Sequence, residues 1–86
     1  MDINRLITII KNKLQNKINI DHINIEDKSF LHKNHTGNQK GKFHLKITLK
    51  SSDFKNMSKI ESNKKVYKII DEEIKEFIHS IQILID

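Results

Sequence analysis

The chain contains no cysteine and no proline, and only two of its 86 residues are glycine. Without cysteine it cannot form disulfide bonds, a thiolate nucleophile, or a self-sufficient iron–sulfur or cysteine-type zinc site. The lack of proline and the scarcity of glycine indicate regular elements joined by few tight turns. We find no signal peptide and no apolar run long enough to cross a bilayer, and we expect a cytoplasmic protein with no membrane partner.

Arginine is also scarce: Arg5 is the only arginine among the sixteen basic residues. The net charge is +5, but residues 28–70 hold eleven lysines and only two acids, whereas residues 71–86 hold one lysine and five acids. Such a basic block can meet an anionic partner through counterion release. Proteins that read phosphates and bases favour the bidentate fork of arginine, however. Because Ile, Asn and Lys dominate the whole sequence, as in proteins of AT-rich genomes, compositional bias explains the block better than selection for nucleic acid.

The length predicts a single domain spanning residues 1–86. A chain of this size buries only about 60% of its unfolded surface, so its core is small. Seventeen isoleucines and six leucines supply most of the apolar side chains. We expect one hydrophobic core with few spare contacts.

Two segments have the period of amphipathic helices. The first follows Asp2, which is available as an N-cap. The second begins with SKIE, a capping box in which Ser58 and Glu61 satisfy free backbone amides, and it continues for about twenty residues. Its acidic residues at 71–73 are predicted to lie on the solvated face. The predicted buried positions are Ile3, Leu6, Ile7, Ile10 and Leu14 in the first helix, and Val66, Ile69, Ile70, Ile74 and Phe77 in the second.

Three segments alternate apolar and polar residues, as strands do. The first is predicted at residues 22–26, and a change of phase near His22 indicates a turn or bulge. The second and clearest is KFHLKITLK, with its apolar residues on one face. The third is HSIQILID, in which His79 is predicted to share a face with Ile81.

The predicted order of elements is α-β-β-α-β. This order favours an α+β fold, a two-layer sandwich with a three-stranded mixed sheet and the helices on one face. Residues 27–41 are polar and without period, so they are predicted to form a long loop between the first two strands. The last strand follows a helix and is predicted to join the sheet beside the first strand.

Five motifs in register over residues 18–83 resemble the BolA-like protein family. The family has an Asp-x-Ser-x-x-His run after its first strand, which matches Asp27, Ser29 and His32. The other matches are Asn34-His35 where Gly-His is common, FHLKITLKS with Phe54 after it, the pair Val66-Tyr67, and IHSIQI where the long helix meets the last strand. The resemblance implies a fold similar to a class II KH domain.

Proteins of this family are partners of monothiol glutaredoxins, with which they share a [2Fe–2S] cluster. The resemblance implies that the glutaredoxin cysteine and a glutathione thiolate supply one side of the cluster. It implies that His79 and a histidine of the loop supply the other side, with His32 preferred and His35 as its substitute. Two thiolates and two imidazoles are a workable ligand set for a [2Fe–2S] centre. The implied role is a non-enzymatic adaptor in iron–sulfur trafficking or in iron or redox sensing, with the protein a monomer or weak dimer when alone.

The histidines also have simpler interpretations. Without the resemblance, the sequence would favour a half-buried His79 that is hydrogen-bonded to the backbone, and loop histidines that are solvated side chains. His44 is predicted to be structural or to lie at the rim of a contact, and His22 to be a surface residue. Intrinsic zinc binding is disfavoured because protein zinc sites usually include cysteine or carboxylate ligands. An enzyme is disfavoured because Ser29, His32 and Asp27 are close neighbours in a loop without rigid orientation.

The alternative function is nucleic-acid binding in transcriptional regulation or a stress response, which the KH-like fold and the basic segment permit. Lys59, Lys64 and Lys65 are the candidate DNA contacts. Two departures from the family matter, and the first of them weakens this alternative. Ser62, Asn63 and Lys64 stand where many relatives have Arg-His-Arg, and Asn56 replaces a usual glycine. The inter-helix region also lacks the Gly-x-x-Gly loop with which KH domains clamp a nucleotide backbone.

Overall fold

The structure, a computed structural model, describes residues 1–29 and 42–86. Along the chain it contains helix α1 (Ile3–Lys17), strands β1 (Ile20–Asp27) and β2 (Phe43–Ser51), helices α2 (Lys59–Ile69) and α3 (Asp71–Phe77), and strand β3 (Ile78–Ile85). A 3-10 turn at Ser52–Phe54 follows β2. The predicted α+β class is confirmed, but the predicted long helix is divided into α2 and α3.

The three strands form one mixed sheet in the order β1-β2-β3. β1 pairs with β2 in antiparallel orientation, and β3 pairs with β2 in parallel orientation. The mixed sheet agrees with the sequence prediction, but the predicted place of the last strand beside the first is wrong. β2 takes the centre instead, which buries Leu45, Ile47 and Leu49 with a neighbouring strand on each side. The segment that contains α2 and α3 supplies the long crossover that a parallel pair requires.

Side-chain caps fix the start of α1 and of α2. Asp2 Oδ1 accepts hydrogen bonds from the backbone N–H groups of Asn4 at 2.7 Å and Arg5 at 3.1 Å. Ser58 Oγ accepts one from the N–H of Glu61 at 3.1 Å. The predicted Asp2 cap and the Ser58 half of the predicted capping box are confirmed, and each satisfies amides that the first turn of a helix leaves without a partner.

The break between α2 and α3 occurs at Ile70, whose φ of −108° and ψ of 24° lie outside the α-helical region. Backbone hydrogen bonds continue across the break, from Ile70 N–H to Val66 O and from Ile74 N–H to Ile70 O. The side chain of Ile70 is fully buried. The apolar period therefore runs through the break without interruption, which is why the sequence predicts one helix.

Apolar side chains from the helices and all three strands form one core. The predicted inner face of α1 is confirmed, because Leu6, Ile10 and Leu14 are fully buried. The predicted irregularity near His22 is also confirmed as a shift of register between Ile20 and His22. The other core residues are Ile18, Ile25, Leu45, Ile47, Leu49, Phe54, Val66, Ile70, Ile78 and Ile85. Across residues 1–29 and 42–86, no helix has both the length and the hydropathy needed to span a membrane.

The predicted solvation of the acids at 71–73 is wrong for Glu73, which is 6% exposed. Its Oε2 lies 2.7 Å from Nζ of Lys13 on α1, so the two residues join α1 to α3. The hydrogen bond to Glu73 is the main reason why the pKa of Lys13 is raised above its ordinary value of 10.5. The charged ammonium form of Lys13 therefore stabilises the folded chain fully at pH values below its ordinary pKa. This contribution is lost as the pH rises through the higher pKa that Lys13 has in the folded state.

Candidate functional site

His79 lies where α3 meets β3, at an irregular point in the pairing with β2. Phe43 is paired with Ile78, but the next residue of β2, His44, is paired with Ser80. His79 is therefore the extra residue of a β-bulge, and a bulge re-aims the side chain that it contains. The prediction that His79 follows the alternation of β3 and shares a face with Ile81 is wrong for this reason.

The ring of His79 contacts the ring of His44 edge to face. The two ring centroids are 5.0 Å apart and the planes are inclined at 60°. His79 is exposed, whereas His44 is only 5% exposed. The pair thus consists of one imidazole at the surface and a second one beneath it.

His44 is held by a side chain of β3 and by the two residues that follow the end of β1. Its Nδ1 lies 2.7 Å from Oγ of Ser80 on β3. Its backbone N–H donates to Oγ of Ser29 at 3.1 Å, and its carbonyl oxygen accepts from the N–H of Lys28 at 2.7 Å. The buried ring is therefore fixed in place and supplies a rigid base for His79.

Among the residues that the structure describes, the side chains near this pair do not form a complete metal site. In the described parts of the chain, no group of three or more His, Cys, Asp or Glu side chains is placed to hold a metal ion. The whole sequence also lacks cysteine. Imidazole alone suits a site whose remaining ligands come from another molecule, and it suits a closed structural zinc site poorly.

Comparison with known proteins identifies the family. A family model described as BolA-like protein matches residues 14–85. The chain belongs to the BolA-like protein family. A curated relative, the DNA-binding transcriptional regulator BolA of Haemophilus influenzae, is 32% identical over 73 residues, which cover 85% of this chain and 68% of that protein.

Solved structures of BolA proteins have the same fold as this BolA-like chain. BolA1 from Arabidopsis thaliana is 22% identical with a TM-score of 0.79, and the match covers 93% of this chain and 88% of that one. The BolA domain of SufE1 from the same plant is 23% identical with a TM-score of 0.77, and the match covers 92% and 87% of the two chains. At this level of identity the likeness establishes the fold.

The structure of the BolA-like domain describes His79 but not the two loop histidines, since His32 and His35 lie outside the described residues. Both chain ends that flank residues 30–41 lie at the His79 end of the sheet. Ser29 bonds to the backbone of His44, and Nζ of Lys42 donates to the carbonyl oxygen of Lys75 in α3 at 3.3 Å. The predictions for His32 and His35 remain predictions.

The sequence prediction understates His44, which it assigns to a polar strand face as a structural or rim residue. Its contact with His79 arises because β3 lies beside β2. A strand placed beside β1, as the sequence predicts, would leave these two rings apart. The signal that identifies the pair is the alignment of KFHL with IHSI as neighbouring parallel strands.

The remaining sequence candidates have separate positions in the BolA-like fold. His22 is exposed, as predicted, and Lys59, Lys64 and Lys65 are all exposed on α2. The hydroxyl oxygen of Ser29 accepts a hydrogen bond from the backbone of His44, and its own N–H donates to Asp27 Oδ1 at 2.9 Å. Ser29 therefore stabilises the end of β1, and its hydroxyl is engaged in the structure.

We expect Ser80→Ala to lower the free energy of unfolding of this BolA-like protein by about 0.5–1.5 kcal/mol, because it removes a hydrogen bond to a buried ring. Urea denaturation measures this change, and the ¹⁵N chemical shift of His44 Nδ1 should move in the same variant. Gln82→Ala, two residues along the same strand and exposed, is the matched control. Equal effects of the two substitutions would show that the Ser80–His44 hydrogen bond does not stabilise the site.

Proposed function

We propose that this protein is a non-enzymatic adaptor that binds a monothiol glutaredoxin and contributes imidazole ligands to a [2Fe–2S] cluster shared by the two proteins. The observation that carries the proposal is the exposed His79, re-aimed by a bulge and supported from below by His44. An exposed imidazole on a rigid strand is accessible to a metal group that another protein holds.

The chemistry of the ligands favours a shared cluster over one held by this chain alone. A [2Fe–2S] centre takes two thiolates on one iron, and two imidazoles are an established set for the other. The chain has histidines but no cysteine. The glutaredoxin cysteine and glutathione supply the missing thiolates in the proposal. A bound cluster is the cargo in iron–sulfur trafficking or the responsive group in iron or redox sensing.

His32 is the proposed second ligand, and His35 is its alternative. His32 follows Ser29 by three residues, and Ser29 is bonded to the backbone of His44. Three extended residues span up to about 10 Å, so His32 lies within about that distance of Ser29. His44 has a different role in this proposal, since its burial and its bond to Ser80 suit a positioning residue that orients His79.

Anaerobic reconstitution with a monothiol glutaredoxin, glutathione, iron and sulfide tests the proposal. A one-to-one complex with visible cluster absorption should elute ahead of either protein in size-exclusion chromatography. The glutaredoxin reconstituted alone is the control, because its cluster spectrum must change when the second protein is added. Separate elution of the two proteins, with an unchanged spectrum, would refute the adaptor function.

DNA binding in transcriptional regulation is the second candidate. It is supported by the name of the Haemophilus influenzae relative and by the exposed lysines 59, 64 and 65 on α2. If these lysines contact phosphates, Lys64→Ala with Lys65→Ala should reduce the slope of log affinity against log salt by about 2. Failure of the unmodified protein to bind duplex DNA at moderate salt would exclude this candidate.

A further inference from the structure

A cavity of about 440 Å³ lies between the C-terminal turns of α1 and α2, on elements that do not carry His44 or His79. Its volume falls within the roughly 300–1,000 Å³ of small-molecule sites. The cavity is lined by Lys13, Asn16, Lys17, Lys68 and Ile69. The polar part of the lining thus consists of three ammonium groups and an amide. The apolar part consists of Ile69 and the methylene stems of the lysines.

Lys13 is a fixed cation in this lining. Its Nζ lies 2.7 Å from Oε2 of Glu73, whose side chain is 8% exposed, and 3.6 Å from a carboxylate oxygen of Glu72. The second oxygen of Glu73, Oε1, is buried without a hydrogen-bond partner. A buried carboxylate that depends on one ammonium group holds that group in place, so Lys13 forms a constant part of the wall.

Lys17 and Lys68 supply charge that is not neutralised nearby. Both are exposed, and neither forms an ion pair within the portion of the chain described by the structure. Each lies in the last turn of its helix, where a cation offsets the negative end of the helix dipole. The helix dipole accounts for the position of each lysine taken by itself. It does not explain why the two helix ends meet at one cavity with an apolar wall.

We propose that this cavity binds a small amphipathic anion, a carboxylate or phosphate ester with a short aliphatic chain. The head group contacts the ammonium groups of Lys17 and Lys68 and the amide of Asn16. The aliphatic chain lies against Ile69 and the lysine stems. The paired acids Glu72 and Glu73 balance part of the positive charge, so an inorganic anion without an apolar part gains too little to be retained.

The proposal is tested by titrating ¹⁵N-labelled protein with hexanoate, hexyl phosphate, acetate, inorganic phosphate and 1-hexanol. Hexanoate and hexyl phosphate should shift the amides of residues 13–17 and 68–70 with a dissociation constant of about 1–10 mM. Hexyl phosphate should bind more tightly than hexanoate if the site prefers phosphate esters, and less tightly if it prefers carboxylates. Acetate, inorganic phosphate and hexanol each lack the charge or the aliphatic chain and should bind much more weakly.

The double variant Lys17→Gln with Lys68→Gln should weaken hexanoate binding by about fivefold or more. The pair Lys50→Gln with Lys55→Gln removes the same charge at two exposed positions that do not line the cavity, and it should leave the affinity unchanged. His79→Ala should also bind hexanoate normally, which separates this site from the proposed cluster function. Absence of saturable shifts, equal weakening by both double variants, or acetate binding as well as hexanoate would each overturn the proposal.

Discussion

Replacement of His79 by alanine should shorten the lifetime of the shared cluster by at least about ten- to a hundredfold, since loss of a residue that only supports a ligand already costs this much. His79 is the described histidine that is both exposed and set on the bulge in the pairing of β3 with β2. In the proposed complex, one iron would lack a protein ligand without this imidazole, and the cluster would remain with the glutaredoxin. The measurement is the decay of visible absorption of the complex after anaerobic gel filtration.

His22→Ala is the matched control for this prediction. His22 is exposed like His79, but it is paired with Lys50 of β2. Lys50 lies six residues along the strand from His44, which corresponds to about 20 Å. The control should retain the lifetime of the unmodified complex. A His79→Ala complex that decays no faster than the His22→Ala complex would remove His79 from the ligand set.

The other histidines should divide according to their roles. His32→Ala should approach the effect of His79→Ala if the loop supplies the second ligand, and His35→Ala should do so instead if the alternative holds. His44→Ala should have an intermediate effect, because His79 keeps its nitrogen but loses the ring that orients it. His44→Ala should also lower the free energy of unfolding, whereas the substitution of the exposed His79 should change it little.

Ile47→Ala should lower the free energy of unfolding by about 2–5 kcal/mol, the usual cost of emptying a large buried site. Ile47 is fully buried in the central strand, between Leu45 and Leu49, which are also in the core. Domains of this size have a total stability of only several kcal/mol, so the variant should be partly unfolded at physiological temperature. Urea and thermal denaturation followed by circular dichroism measure the change.

Ile60→Ala is the matched control for the core prediction. It removes the same atoms from a side chain that is 69% exposed at the start of α2. Its effect should stay within about 0.5 kcal/mol, as for surface substitutions in general. Similar losses of stability in the two variants would mean that Ile47 does not lie in a packed core, and the strand order β1-β2-β3 would then be wrong.

The elements that the sequence predicts well are those with a clear period and a local start signal. α1 follows from the spacing of Leu6, Ile10 and Leu14 and from the Asp2 cap, both of which act within a few residues. β2 follows from strict alternation in KFHLKITLK. The irregularity of β1 follows from its change of phase near His22. In each case the local pattern and the tertiary packing favour the same conformation.

The features that the sequence does not predict depend on distant parts of the chain. Alternation in β3 fits a place beside β1 or beside β2, and only packing decides between them. The break at Ile70 cannot be recognised in the sequence, because Ile70 is apolar and fits the helical period of the residues before and after it. Glu73 appears solvated in the sequence because its cation, Lys13, comes from α1.

The candidate site divides in the same way. His79 is predicted as a candidate from the IHSIQI run because the resemblance to the family is carried by residues that are contiguous in sequence. The contact of His44 with His79 is not predicted, since it follows from the parallel pairing of β2 and β3 and from a bulge that displaces His79 from the alternation. Strand order and bulges are tertiary features, and side-chain alternation within one strand does not determine them.

Pulsed electron paramagnetic resonance on the reduced cluster of the complex tests the central claim most directly. Only the BolA-like chain is labelled with ¹⁵N-histidine, and the glutaredoxin is left unlabelled. We predict strong coupling to the ¹⁵N nuclei of the liganding imidazoles, of which the His79 coupling disappears in His79→Ala and persists in His22→Ala. A cluster with no coupling to the labelled chain, or a coupling that survives His79→Ala unchanged, would contradict the proposed role of His79 as a ligand.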